Sequence, residues 1–218
     1  MTARLAFRGQ RGETRPEPGD FPLGVEHARD GVLYVPDTAE PGAPVMLMLH
    51  GAGGSGRREL RAVVAAADRY GVVVVAPDSR AVTWDVIVLG GFAADVGFID
   101  RALTAAAERC DADFTRLAVA GISDGASYAL SLGLSNGDLC EVVIAFSPGF
   151  MQPETPVGTP RVFVSHGTED TVLPIDACGR AVVATLARAG YDVTFREFDG
   201  GHRLPPAVAD EAMRWWLG

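Results

Sequence analysis

Between Arg116 and Leu134 a short apolar run, Arg116-Leu117-Ala118-Val119-Ala120, gives way within five residues, Gly121-Ile122-Ser123-Asp124-Gly125, to the helical stretch Ala126–Leu134. This is a strand that must turn abruptly into a helix at a serine. Only small residues fit on either side of so tight a turn, which holds the serine strained and exposed. It also sets the serine at a helix N-terminus, where backbone N–H groups and the positive end of the helix dipole favour a negative charge.

The rest of the chain supplies the frame for that unit. Strands are expected at Gly31–Val35, Val45–Leu49, Val72–Ala76, Glu141–Phe146, Arg161–Ser165 and Asp192–Phe198. Val72–Ala76 is a continuous run of the kind buried on both faces of a sheet. Asp192–Phe198 alternates apolar and polar residues, so it is placed near a sheet edge. Helices are expected at Arg57–Tyr70, Ala94–Cys110, Asp176–Ala189 (ending at Gly190, with Asp176 as its N-cap) and Pro206–Leu217. The first carries Leu60, Val63, Val64 and Ala67 on one face. Of the pair Trp215-Trp216 on the last, at least one ring is expected in the core. Such β-α alternation implies an α/β architecture, a mostly parallel central sheet with helices on both faces. Ligands of such sheets sit at the carboxyl ends of the strands. Residues 9–24, rich in Gly, Pro, Arg and Glu, read as an irregular arm or a loop to a first short strand, and 1–30 as an N-terminal arm and loop. The connection from Phe146 to Arg161 is too short for a lid domain. A single domain over 1–218 is expected.

Composition narrows the partners. Asp plus Glu is 28 against 19 for Lys plus Arg, a net charge of -9 that argues against nucleic acid or an anionic membrane surface. Cys110, Cys140 and Cys178 form no C-x-x-C pair and read as reduced, core-lining thiols, neither a disulfide framework nor a metal site. No stretch has the length and apolarity of a membrane span, and the first residues lack the apolar segment of a signal peptide. A cytoplasmic protein is expected; the sequence leaves its oligomeric state open.

A serine hydroxyl attacks a carbonyl only when a base takes its proton, and the base is usually a histidine oriented by a carboxylate. Past the strand 161–165 comes His166-Gly167-Thr168-Glu169-Asp170, and past the strand 192–198 comes Gly200-Gly201-His202. Both lie at strand carboxyl ends, on the edge that holds Ser123. Asp170 is preferred as the acid over Glu169, Asp176 and Asp199. His202 is preferred as the base over His50 and His166, which read as structural loop histidines, and over His27, which reads as surface. Upstream, Val45–Leu49 runs into His50-Gly51-Ala52-Gly53-Gly54, a glycine-rich loop suited to donating a backbone N–H to a tetrahedral intermediate. The oxyanion donors are assigned to Ala52 and Asp124.

Taken together, His50–Gly54, Gly121–Gly125, His166–Asp170 and Gly201-His202 resemble the α/β-hydrolase superfamily. More narrowly the chain is similar to bacterial phospholipase/carboxylesterase-type serine esterases, kin of feruloyl esterases and dienelactone hydrolases, over about residues 30–218. The resemblance implies hydrolysis of small to medium carboxylic esters through an acyl-enzyme, with no metal or cofactor; the same residues would also serve a thioesterase or a peptidase on this fold, and a non-catalytic binding protein of the hydrolase fold is the alternative from another class. Two features depart from it. Dienelactone hydrolases use a cysteine where this chain has Ser123, and carboxylesterases of the group often carry Gln where it has Asp124. The Asp124 side chain either caps the following helix or places negative charge near the pocket mouth. For the pocket wall, Trp84 is the leading candidate against simple packing, with Phe150, Met151 and Leu204 behind it.

Overall fold

The computed structural model describes residues 2–9 and 17–218; the expected arm at 9–24 lies partly outside these residues. Its frame is one eight-stranded sheet in the order β1-β2-β4-β3-β5-β6-β7-β8. The strands are β1 (Gly19–Pro22), β2 (Gly31–Val35), β3 (Ala43–Leu49), β4 (Val73–Pro77), β5 (Ala112–Ile122), β6 (Val142–Phe146), β7 (Arg161–Gly167) and β8 (Val193–Phe198). β1 and β2 pair antiparallel to each other, and β2 antiparallel to β4; every other pairing is parallel. β3, β4 and β6 are buried at every position, as strands covered on both faces must be. β8 lies at the sheet edge, where the alternation of its sequence places it.

The helices are α1 (Gly56–Tyr70), α2 (Asp85–Leu89), α3 (Ala94–Arg109), α4 (Asp124–Ser135), α5 (Gly179–Arg188) and α6 (Pro206–Leu217). Two apolar cores separate across the sheet. One side takes Leu60, Val63 and Ala67 of α1 with Ala212, Met213 and Trp216 of α6. The other takes the apolar stripe of α3, Ala126, Tyr128, Ala129, Leu130, Leu132 and Leu134 of α4, and Val182 and Leu186 of α5. The three cysteines are unpaired and buried.

Three features add to or correct the expectations. The start of the expected N-terminal arm is packed down: Ala3, Leu5 and Phe7 alternate into the core, Phe7 packs edge-on against Phe114, and Asn136, at the end of α4, holds the Ala3 carbonyl and the Leu5 N–H. Asp176 does not cap α5. The helix begins at Gly179, and Asp176 forms an ion pair with Arg180 one turn on, at 2.7 Å. α2, a five-residue helix, lies where the sequence suggests no element.

Residues 147–160, which join β6 to β7, contain no helix or strand. They are held by a ladder of buried serines at helical spacing on α4. Ser127 accepts from the Gly149 N–H (3.0 Å), Ser131 from Gln152 (2.9 Å) and Ser135 from Glu154 (3.1 Å). Each serine in turn donates to the carbonyl four residues before it. Ser131→Ala leaves the Gln152 N–H without its acceptor. A loss of about 1–3 kcal/mol in unfolding free energy is expected from denaturant titration.

Candidate active site

β5 runs to Ile122, α4 starts at Asp124, and Ser123 between them has φ 56° and ψ −122°, a conformation that L-residues rarely adopt. The flanking glycines are required by contact. A Cβ on Gly121 would lie 2.2 Å from the Gly125 carbonyl oxygen, and one on Gly125 would lie 2.1 Å from that of Leu49. The Ser123 N–H is fixed by the Phe146 carbonyl at 2.9 Å. Its Oγ makes no capping bond to α4 and is turned outward.

There it meets His202, whose Nε2 lies 2.8 Å from Ser123 Oγ. The other ring nitrogen, Nδ1, lies 2.7 Å from Asp170 Oδ2. The second Asp170 oxygen accepts from the N–H groups of Val172 (2.9 Å) and Leu173 (2.8 Å). These bonds fix the carboxylate and hence the ring: Nδ1–H donates to Asp170, leaving Nε2 to accept from the serine. Burial pushes the Asp170 carboxyl up. The Leu173 N–H, His202 and the Val172 N–H outweigh it, so the group stays below the usual carboxylate range and is ionised at neutrality. The acid and base loops are also bound to each other, with the Glu169 N–H on the Gly200 carbonyl at 2.9 Å.

The glycine-rich loop lies beside the serine, and Gly51 approaches Ser123 so closely that a Cβ there would sit 3.3 Å from its side chain. Gly53 takes φ 65°, and its N–H bonds the Val82 carbonyl. Among the described residues nothing accepts from the N–H of Ala52 or of Asp124. His50 anchors the loop from below: its Nδ1–H donates to the Gly51 carbonyl (2.7 Å) and its Nε2 accepts from Ser79 N–H (3.0 Å). Burial lowers its pKa and keeps it neutral. His166 is buried as well. Its Nε2–H donates to the Leu173 carbonyl at 2.7 Å and lies 3.3 Å from Asp170 Oδ2, so it buttresses the turn that carries the acid. His27 is exposed.

Ser123 and His202 open into a cleft of about 590 Å³, walled also by Ala52, Arg58, Arg61 and Val172. None of the four residues expected at the pocket wall lines it. Trp84 is fully buried behind the glycine-rich loop, with its Nε1–H on the His50 carbonyl at 2.8 Å and its ring stacked on Tyr128. It steadies that loop from within the core. Met151 packs against the α4-side core and Leu204 against the opposite one, while Phe150 is partly exposed on the serine-pinned connection. Asp124 does not cap α4; its carboxylate accepts from Thr83 Oγ1 at 2.7 Å, away from the cleft. The cleft residues of α1 were missed, although the stripe Leu60, Val63 and Ala67 carries a signal for them: Arg58 and Arg61 flank the buried face. No group of three His, Cys, Asp or Glu side chains placed to hold a metal ion occurs among the described residues.

No protein-family model and no curated protein matches the sequence. Solved structures do match. The esterase PE8 is 22% identical, with a TM-score of 0.72 over 85% of this chain and 96% of that one. An S-formylglutathione hydrolase from Staphylococcus aureus is 14% identical, with a TM-score of 0.74 over 98% and 100%. A carboxylesterase from Bacillus cereus is 19% identical, with a TM-score of 0.64 over 84% and 92%. The chain has the α/β-hydrolase fold. Among the described residues no helix is long and apolar enough to cross a membrane.

Proposed function

We propose that the protein is a serine esterase that hydrolyses small to medium carboxylic esters through an acyl-enzyme. The observation that carries this reading is the hydrogen-bonded line Asp170–His202–Ser123, with Ser123 and His202 on the wall of the cleft. Ser123 Oγ attacks the ester carbonyl carbon while His202 Nε2 takes its proton. The N–H groups of Ala52 and Asp124 receive the oxyanion; one such donor is worth about 3–4 kcal/mol in enzymes of this kind. The intermediate collapses, the bond to the leaving oxygen breaks, and His202 returns the proton to the departing alcohol. Water then attacks the acyl-serine and gives its proton to His202. The acid leaves and Ser123 regains its hydrogen. Asp170 holds the ring in the reactive tautomer and faces its positive charge. The names of the structural neighbours, esterases and hydrolases, support the same reading.

The absence of secondary structure in 147–160, and a cleft open beside the exposed Val172, favour short acyl chains over micellar lipid. Hydrolysis of p-nitrophenyl esters from acetate to palmitate tests this. Activity is expected to peak at short chains. A peak at long chains would contradict the open-cleft reading, and turnover of no ester would contradict the esterase itself.

A further inference from the structure

We propose that the cleft beside Ser123 takes esters that carry a carboxylate on one arm, and that Arg58 and Arg61 of α1 receive it. This rests on the esterase reading above. In a chain with net charge -9, basic side chains readily find acidic partners. On α1 itself Arg57 is paired with Asp20 and Arg69 with Asp210. Elsewhere Arg4, Arg80, Arg101, Arg180 and Arg196 are each within salt-bridge distance of a carboxylate. Arg58 and Arg61 are not among these pairs, and unlike the other arginines without one, such as Arg29, Arg161 and Arg188, they border Ser123. Neither meets a carboxylate among the described residues, both are exposed, and both line the cleft that holds Ser123 and His202. Three residues apart on a helix, they project to one face and present two guanidinium groups together.

The acidic groups nearby do not cancel them. Asp124 is engaged by Thr83 and does not line the cleft. Glu59, the one carboxylate of the cleft wall, makes no ion pair with either arginine. It is drawn into the protein beside the Gly51 N–H, where burial raises its pKa against the pull of that N–H and of Arg58. The apolar part of the cleft lining includes Ile122, Ala62 and Val172. That surface suits a short methylene spacer, with the ester at one end and a charge at the other. Guanidinium groups match a carboxylate in planar, bidentate geometry.

The test compares kcat/KM for two anionic esters with their neutral methyl esters. Monomethyl glutarate, against dimethyl glutarate, places the charge on the acyl arm. 4-Acetoxybutyrate, against methyl 4-acetoxybutyrate, places it on the alcohol arm. The wild-type protein is expected to prefer the anionic member of at least one pair by about tenfold, the scale of two exposed ion pairs. In Arg58→Gln/Arg61→Gln the ratio should fall to about one, and in Arg58→Glu/Arg61→Glu it should invert. Ser123-dependent cleavage of the neutral esters with no anionic preference would overturn the inference and leave the esterase standing. A preference that survives in both double variants would also overturn it. Failure to cleave any of the four esters, or p-nitrophenyl acetate, would overturn both.

Discussion

Ser123→Ala is expected to lower kcat on p-nitrophenyl acetate by about 10⁵-fold while the protein stays folded. The size follows from how the site is built. Ser123 is held through its own backbone: its N–H on Phe146, its carbonyl accepting from the Ala126 and Ser127 N–H groups and from Ser127 Oγ, and the two glycines that let β5, α4 and the His50 loop close around it. The side chain itself contributes one hydrogen bond, to His202. Removing Oγ therefore deletes the nucleophile without disturbing the turn, and the melting temperature should shift by no more than a few degrees. Steady-state kinetics on protein purified free of host esterases, with circular dichroism alongside, reads both quantities.

Asp170→Asn should lower kcat by about 10⁴-fold with little change in KM. An amide must present its NH₂ to one of two sets of partners. On one side stand the Val172 and Leu173 N–H groups, which are donors. Turning the NH₂ toward them sets donor against donor in a buried site. Turning it toward His202 forces Nδ1 to accept, so the ring carries its proton on Nε2, where it can no longer take the proton of Ser123. Either arrangement leaves the substrate cleft as it was, because Asp170 does not line it. A fall of kcat and KM together would instead indicate that the acid shapes the cleft.

Much of this was legible in the sequence because the fold's signals are local. β2 and α6 fall where the apolar periodicity places them, and α1, α3 and α5 end where it does to within a residue or two. The residues of the hydrogen-bonded line were each marked by a strand end followed by glycines. What the sequence concealed depends on three-dimensional closure. Trp84 follows a strand's carboxyl end, yet it stands at the start of α2 with its ring stacked on Tyr128. α2 itself, Asp-Val-Ile-Val-Leu, is too short to show a helical period and too apolar to read as a turn. The packing of Ala3, Leu5 and Phe7 follows a strand-like alternation in a segment that forms no strand. The arginines of the cleft lay on the polar face of a well-read helix. Which part of that face looks onto the serine depends on how α1 docks against the sheet, a distance relation that no local pattern encodes.

The central claim is that Ser123 becomes acylated. The most direct measurement is rapid-quench mass spectrometry of the protein mixed with p-nitrophenyl acetate, followed by peptide mapping. One acetyl group is expected on the peptide that contains Ser123, in step with the burst of nitrophenolate and lost as the acyl-enzyme turns over. Steady turnover with the acetyl group on another residue, or undiminished turnover in Ser123→Ala, would contradict it.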